Sequence, residues 1–134
     1  AGAVFSITAG IYYWLPKMSG RMYNEMMGKV HFWVSFVGFN ITFFPQHFVG
    51  LAGMPRRVPD YALQFADFNM MSSIGAFVYG MSQLLFLYNV LATVIAGKLD
   101  SREKTWDGAN GLEWTLPTPA PYHTFETPPA IKAS

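Results

Sequence analysis

Two stretches decide the fold: Val30–Pro55, VHFWVSFVGFNITFFPQHFVGLAGMP, and Phe68–Gly97, FNMMSSIGAFVYGMSQLLFLYNVLATVIAG. Neither holds an Asp, Glu, Lys or Arg, over 26 and 30 residues. As helices they reach roughly 39 and 45 Å, against a hydrocarbon core of about 30 Å. An apolar run of about 10–14 residues would suit the core of a soluble protein; these are twice as long and read as membrane spans. A third charge-free run, Ala1–Pro16, is shorter. It opens in apolar sequence with no cap and reads as the back half of a helix whose front half lies elsewhere.

Composition agrees. The chain has 134 residues, 51% hydrophobic and 17% aromatic. Charged residues make up 13%, about half the roughly 25% of soluble domains. That excludes a disordered chain. A net charge of +1 with no basic stripe excludes a nucleic-acid module. Without cysteine there is no disulfide framework, thiolate zinc site or thiol nucleophile.

Outward from the two runs, turn residues set the boundaries. Pro16, Ser19 and Gly20 break the first helix. Asn24 is placed to cap the second, with Glu25 favourable in its first turn. Asp67 or Asn69 is placed to cap the third. The expected helices cover about 1–15, 25–46 and 68–96. After Gly97 the chain turns charged, and Pro117, Pro119, Pro121, Pro128 and Pro129 punctuate it. The fold class read from this pattern is an all-α membrane protein. It is part of a polytopic transmembrane bundle: half a helix plus two full spans over 1–97, with an extended Pro-rich tail over 98–134.

Lys and Arg set the orientation. The first loop has Lys17, Arg21 and Lys29, and the tail opens with Lys98, Arg102 and Lys104. The middle loop has Arg56 and Arg57, offset by Asp60 and Asp67. The positive-inside rule puts the first loop and the C-terminus on the matrix or cytoplasmic side. Tyr12, Tyr13 and Trp14 stand where an interfacial aromatic belt would lie.

Small residues recur every fourth position, at Gly2, Ser6 and Gly10 and at Ser72, Ala76 and Gly80. Such stripes let helices approach closely in lipid. His31, Ser35, Gly38 and Thr42 share one face of the second helix. A polar stripe of this kind serves interhelical hydrogen bonding, or less often a proton or cofactor path. His31, His47 and His123 are spread over both helix ends and the tail, and cannot converge on one ion within this chain.

Gly53-Met54-Pro55-Arg56-Arg57 is the sharpest motif. Each arginine would cost on the order of 3 kcal/mol at the bilayer centre, so the pair belongs near the interface. Two roles fit: snorkelling to lipid headgroups, or a rigid double fork for carboxylates, which arginine grips better than lysine.

Phe43-Phe44-Pro45-Gln46-His47-Phe48, Gly50-Leu51 and Gly53-Met54-Pro55-Arg56-Arg57 together resemble the subunit I family of haem–copper cytochrome c oxidases, aa3 type. Ala1-Gly2-Ala3-Val4-Phe5, Lys29-Val30-His31-Phe32, Leu112-Glu113-Trp114 and Pro121-Tyr122-His123-Thr124-Phe125 extend the resemblance along nearly the whole chain. It is to the C-terminal part of that subunit, most like the alphaproteobacterial and mitochondrial type. Val58 departs from the pattern, where an aromatic is common.

The resemblance implies roles. Arg56 and Arg57 would pair with the propionates of haem a and haem a3. Val4, Thr42, Phe43 and Gln46 would line the haem a pocket. Asp60 matches a position that helps bind a structural calcium or sodium ion. The family's axial histidines, copper ligands and cross-linked tyrosine lie upstream of the matching stretch. The implied catalytic residues in this chain are therefore none, and alone it would be inactive. The implied partners are the N-terminal portion of subunit I with its copper, subunits II and III, cytochrome c and the lipid bilayer, with no nucleic acid. The implied location is the mitochondrial inner membrane or bacterial plasma membrane. The implied activity is reduction of O2 to water coupled to proton pumping. A quinol donor, or a non-catalytic packing or assembly subunit of a respiratory complex, stands as the alternative.

Overall fold

The computed structural model describes residues 2–100, 102 and 105–129. Ala1 and Lys104, which entered the sequence reading, lie outside the described residues, as does the end of the tail from 130. The described chain is mainly helical: α1 (Gly2–Ser19), α2 (Glu25–Leu51) and α3 (Ala66–Ala96). Two short strands, β1 (Arg21–Met22) and β2 (Lys98–Leu99), pair antiparallel. The described residues form two units, one of residues 24–91 and one of 2–23 with those from 92 to 129.

In the first unit, α2 starts where the sequence predicts. The Asn24 side chain accepts from the Met27 amide at 3.1 Å, satisfying one of the orphan donors of the first turn. The helix does not stop near Gln46 but continues to Leu51. Pro45 lacks only its own N–H; its carbonyl still accepts, and spanning helices tolerate the missing bond. Closure comes at Gly53, whose φ of 89° turns the chain. There the amides of Ala52, Gly53 and Met54 bond to Phe48, Gly50 and Val49 carbonyls at 3.0, 3.2 and 3.0 Å.

A single 3-10 turn, Leu63–Phe65, leads into α3. Asp67 and Asn69 therefore fall inside the first turns rather than at the cap. With this turn, Leu63–Ala96 is the one described helix long and apolar enough, by length and composition, to cross a membrane. α2 is 27 residues long, but His31, Asn40, Gln46 and His47 dilute its apolarity.

α2 and α3 meet where neither has bulk. A Cβ on Gly38 would stand 2.8 Å from the Tyr79 amide nitrogen, and one on Gly75 would stand 2.5 Å from that of Thr42. The close approach uses Gly75 beside the expected stripe; a Cβ on Gly80 would meet nothing within 4 Å. Ser72 stands on the interface, its hydroxyl donating to the Thr42 carbonyl at 2.6 Å. The polar stripe of α2 faces this seam. Ser35 and Ser82 hydroxyls bond at 2.7 Å, and Ser82 donates onward to the Tyr79 carbonyl at 2.6 Å. Away from the seam the helices are apolar: Trp33 is 61% exposed and Phe77 77%. That is the reverse of a water-facing helix.

In the second unit, α1 passes the expected end at Leu15 and runs to Ser19. Pro16 again keeps its carbonyl, which accepts from the Gly20 amide at 2.8 Å; Gly20, with φ 69°, then ends the helix. The segment from Lys98, expected to be an extended tail, is folded along much of its described length. Trp106 Nε1 donates to the Tyr13 carbonyl at 2.9 Å. Trp114, 2% exposed, packs edge-on against Tyr13 with ring centroids 5.3 Å apart. Lys17 Nζ donates to the Leu116 carbonyl and to Thr118 Oγ1. Burial lowers the Lys17 pKa, opposed by the nearby Glu113 carboxylate. Asp100 is nearly buried and accepts from Arg102 Nε at 2.8 Å and Thr105 Oγ1 at 2.6 Å. Burial pushes its pKa up, but these hydrogen bonds outweigh it and hold the carboxyl below its ordinary value.

Candidate functional site

The last turns of α2 place Phe43, Gln46, His47 and Gly50 at i, i+3, i+4 and i+7, on one face. The chain beyond the helix brings Met54, Pro55, Arg56, Arg57 and Val58 against that face. With Val49 and Leu51 these residues line a cavity of about 780 Å³. The volume falls within the range of roughly 300–1,000 Å³ typical of small-molecule and cofactor sites.

Apolar side chains, the polar Gln46 and His47, and two arginines share this lining. Both arginines are exposed within this chain. The backbone sets where they project. Gly53 turns at φ 89°, Pro55 fixes its own φ, and Arg57 sits in the left-handed region at φ 58°. A non-glycine residue there costs on the order of 1 kcal/mol and persists only when its surroundings over-determine it. Such strain clusters at ligand-gripping positions.

Four residues named from the sequence meet here: Phe43, Gln46, Arg56 and Arg57. Thr42 does not line the cavity. It is turned along the helix, its hydroxyl donating to the Gly38 carbonyl at 2.8 Å, and its own carbonyl receives Ser72 from α3. Val4 lies on α1 in the second unit, 41% exposed. Asp60 is exposed just beyond the cavity, and its carboxylate accepts the Tyr61 amide at 2.8 Å. Among the described residues no group of three or more His, Cys, Asp and Glu is gathered as a metal site.

Sequence reasoning passed over His47, Met54 and Val58 as lining residues. His47 had a legible signal, since it follows Phe43 by four on the same face; its ring Nδ1 lies 3.0 Å from the Phe43 carbonyl. Met54 and Val58 had none, because only the loop's path brings them to the cavity.

The family model described as "Cytochrome C and Quinol oxidase polypeptide I" matches residues 1–78, the part that carries this cavity. The chain belongs to that family. It is 54% identical over 129 residues to "Cytochrome c oxidase subunit 1" of Cereibacter sphaeroides, a match covering 96% of this chain and 23% of that protein. It is 46% identical over 132 residues to "Putative cytochrome c oxidase subunit 1-beta" of Streptomyces avermitilis, and 42% identical over 132 residues to "Cytochrome c oxidase subunit 1" of Corynebacterium diphtheriae. Each of those matches covers 97% of this chain and 23% of the relative. The chain thus spans about a quarter of the length of these cytochrome c oxidase subunit 1 relatives.

Proposed function

We propose that this chain is the C-terminal portion of the catalytic subunit of a terminal oxidase, one that reduces O2 to water with electrons from cytochrome c and pumps protons. The observation that supports the reading is one cavity whose lining includes Arg56, Arg57, Phe43 and Gln46. The donor set fits a haem edge. Two guanidiniums suit two carboxylates, and the apolar side chains suit a macrocycle. Bound haem supplies the electron transfer and oxygen chemistry. In this reading haem a and haem a3 are contacted, not axially ligated, by this chain. Their ligands and copper belong to the N-terminal portion of the subunit, with subunits II and III as further partners.

The residues act on charge. Arg56 and Arg57 donate N–H groups to the propionates and favour their ionised form, lowering their proton affinity. Phe43 and Gln46 would line the pocket of haem a, and the resemblance assigns Thr42 and Val4 to the same pocket. Asp60 would help hold a calcium or sodium ion beyond the arginine loop. α2 and α3 span the membrane, either mitochondrial inner or bacterial plasma. The arginine loop then faces the outer side and the C-terminus the matrix or cytoplasm, as the Lys and Arg balance favours.

A pyridine haemochrome spectrum of the detergent-solubilised complex tests this directly. Haem A in the complex, and none in the chain expressed alone, is the expected result. A complex without haem would overturn it and leave the assembly-subunit reading. Arg56→Gln and Arg57→Gln should each shift the haem spectrum or lower the pumping ratio while the complex still assembles. Two silent variants would sink the propionate role.

A further inference from the structure

Among the described residues no side chain of this chain hydrogen-bonds Arg56 or Arg57, so their aim is inherited from the backbone of the loop. That backbone is held at two points. One is the closure of α2, where the Met54 amide donates to the Val49 carbonyl at 3.0 Å. The other is a side chain from the next helix. Asn69 Nδ2 donates to the Phe65 carbonyl at 2.9 Å and to Met54 Sδ at 3.5 Å, a normal reach for the larger sulfur atom. Asn69 stands in the first turns of α3, and Met54 is two residues from Arg56 and lines the cavity.

We propose that Asn69 is a positioning residue for the arginine pair, acting through the thioether of Met54. The inference rests on reading the cavity as the haem-propionate site. The tether ties Met54 to α3 and helps keep the left-handed backbone at Arg57, which would otherwise relax to a commoner conformation. A sulfur acceptor is weak and polarizable, so the tether is soft. It sets aim without contributing much to overall stability.

The test uses the assembled complex with Met54→Leu, Met54→Gln, Asn69→Ala and the double variant Met54→Leu/Asn69→Ala. Leucine keeps the volume and removes the acceptor; glutamine keeps an acceptor oxygen near the sulfur position. The readouts are the haem absorption band and hydrogen exchange of the Arg57 amide. Met54→Leu and Asn69→Ala should shift the band alike and speed exchange about fivefold, the factor for losing one modest hydrogen bond. The double variant should do no more than either single, and Met54→Gln should keep the slow Arg57 amide exchange of the parent. Additive single effects, or an Arg57 amide that exchanges as fast in Met54→Gln as in Met54→Leu, would overturn the tether. If exchange responds as expected while the band stays fixed in these variants and in Arg57→Gln, the tether stands and the propionate reading fails instead.

Discussion

Gly75 and Arg57 are each decided by a single backbone circumstance. A Cβ at position 75 has no room, with the Thr42 amide nitrogen 2.5 Å and the Ile41 carbonyl carbon 2.7 Å away. Gly75→Ala should therefore force α2 and α3 apart and cost on the order of 1–3 kcal/mol. The check is the melting temperature of the purified complex, with Gly80→Ala as the neutral companion, since nothing lies within 4 Å of its added Cβ. Gly80 stands in the expected stripe and Gly75 beside it, yet only Gly75 is turned against α2. The small-residue stripe was thus legible as a packing device, but not which glycine would meet the neighbour. The arginine pair shows the same limit. Met54-Pro55-Arg56-Arg57 suggests a grip for carboxylates, whereas the φ of 58° at Arg57 has no local signal.

At the scale of elements, the two unexpected lengths have one cause. α1 and α2 both run through a proline, Pro16 being expected to help break the first, and both close at a glycine with positive φ a few residues later. The third surprise is the tail. The segment ahead of the prolines packs, as Trp106 and Trp114 bring aromatic surface to Tyr13, while 119–128 is exposed and holds no helix or strand. Trp114→Ala should cost about 3 kcal/mol or more by removing a fully buried indole. It should also expose the 105–118 segment to limited proteolysis, leaving the α2–α3 seam protected. Equal protease resistance in the variant would mean that Trp114 does not hold the tail.

For the molecule as a whole, pH gives a test. The Asp100 carboxyl titrates below its ordinary value, so the native state binds its proton more weakly than the unfolded chain. Its stabilising contribution is complete above the unfolded value near 3.9 and is lost as pH falls through the lowered native value. Asp100→Asn should melt earlier than the parent at pH 7, and the gap should close below about pH 4. A gap that stays constant with pH would assign the loss to packing instead of charge.

The clasp between Lys17 and the Leu116 carbonyl joins residues 99 positions apart. At synthesis rates of roughly 5–20 residues per second, about 5–20 s pass between the emergence of one partner and the other. Meanwhile both sides of the α2–α3 seam, Gly38 with Tyr79 and Gly75 with Thr42, have already been made. The ribosome therefore delivers this chain in a fixed order: the hairpin of α2 and α3 can close while the nascent chain is still tethered. The buried end of α1 must wait, its lysine still hydrated, until Leu116 is translated.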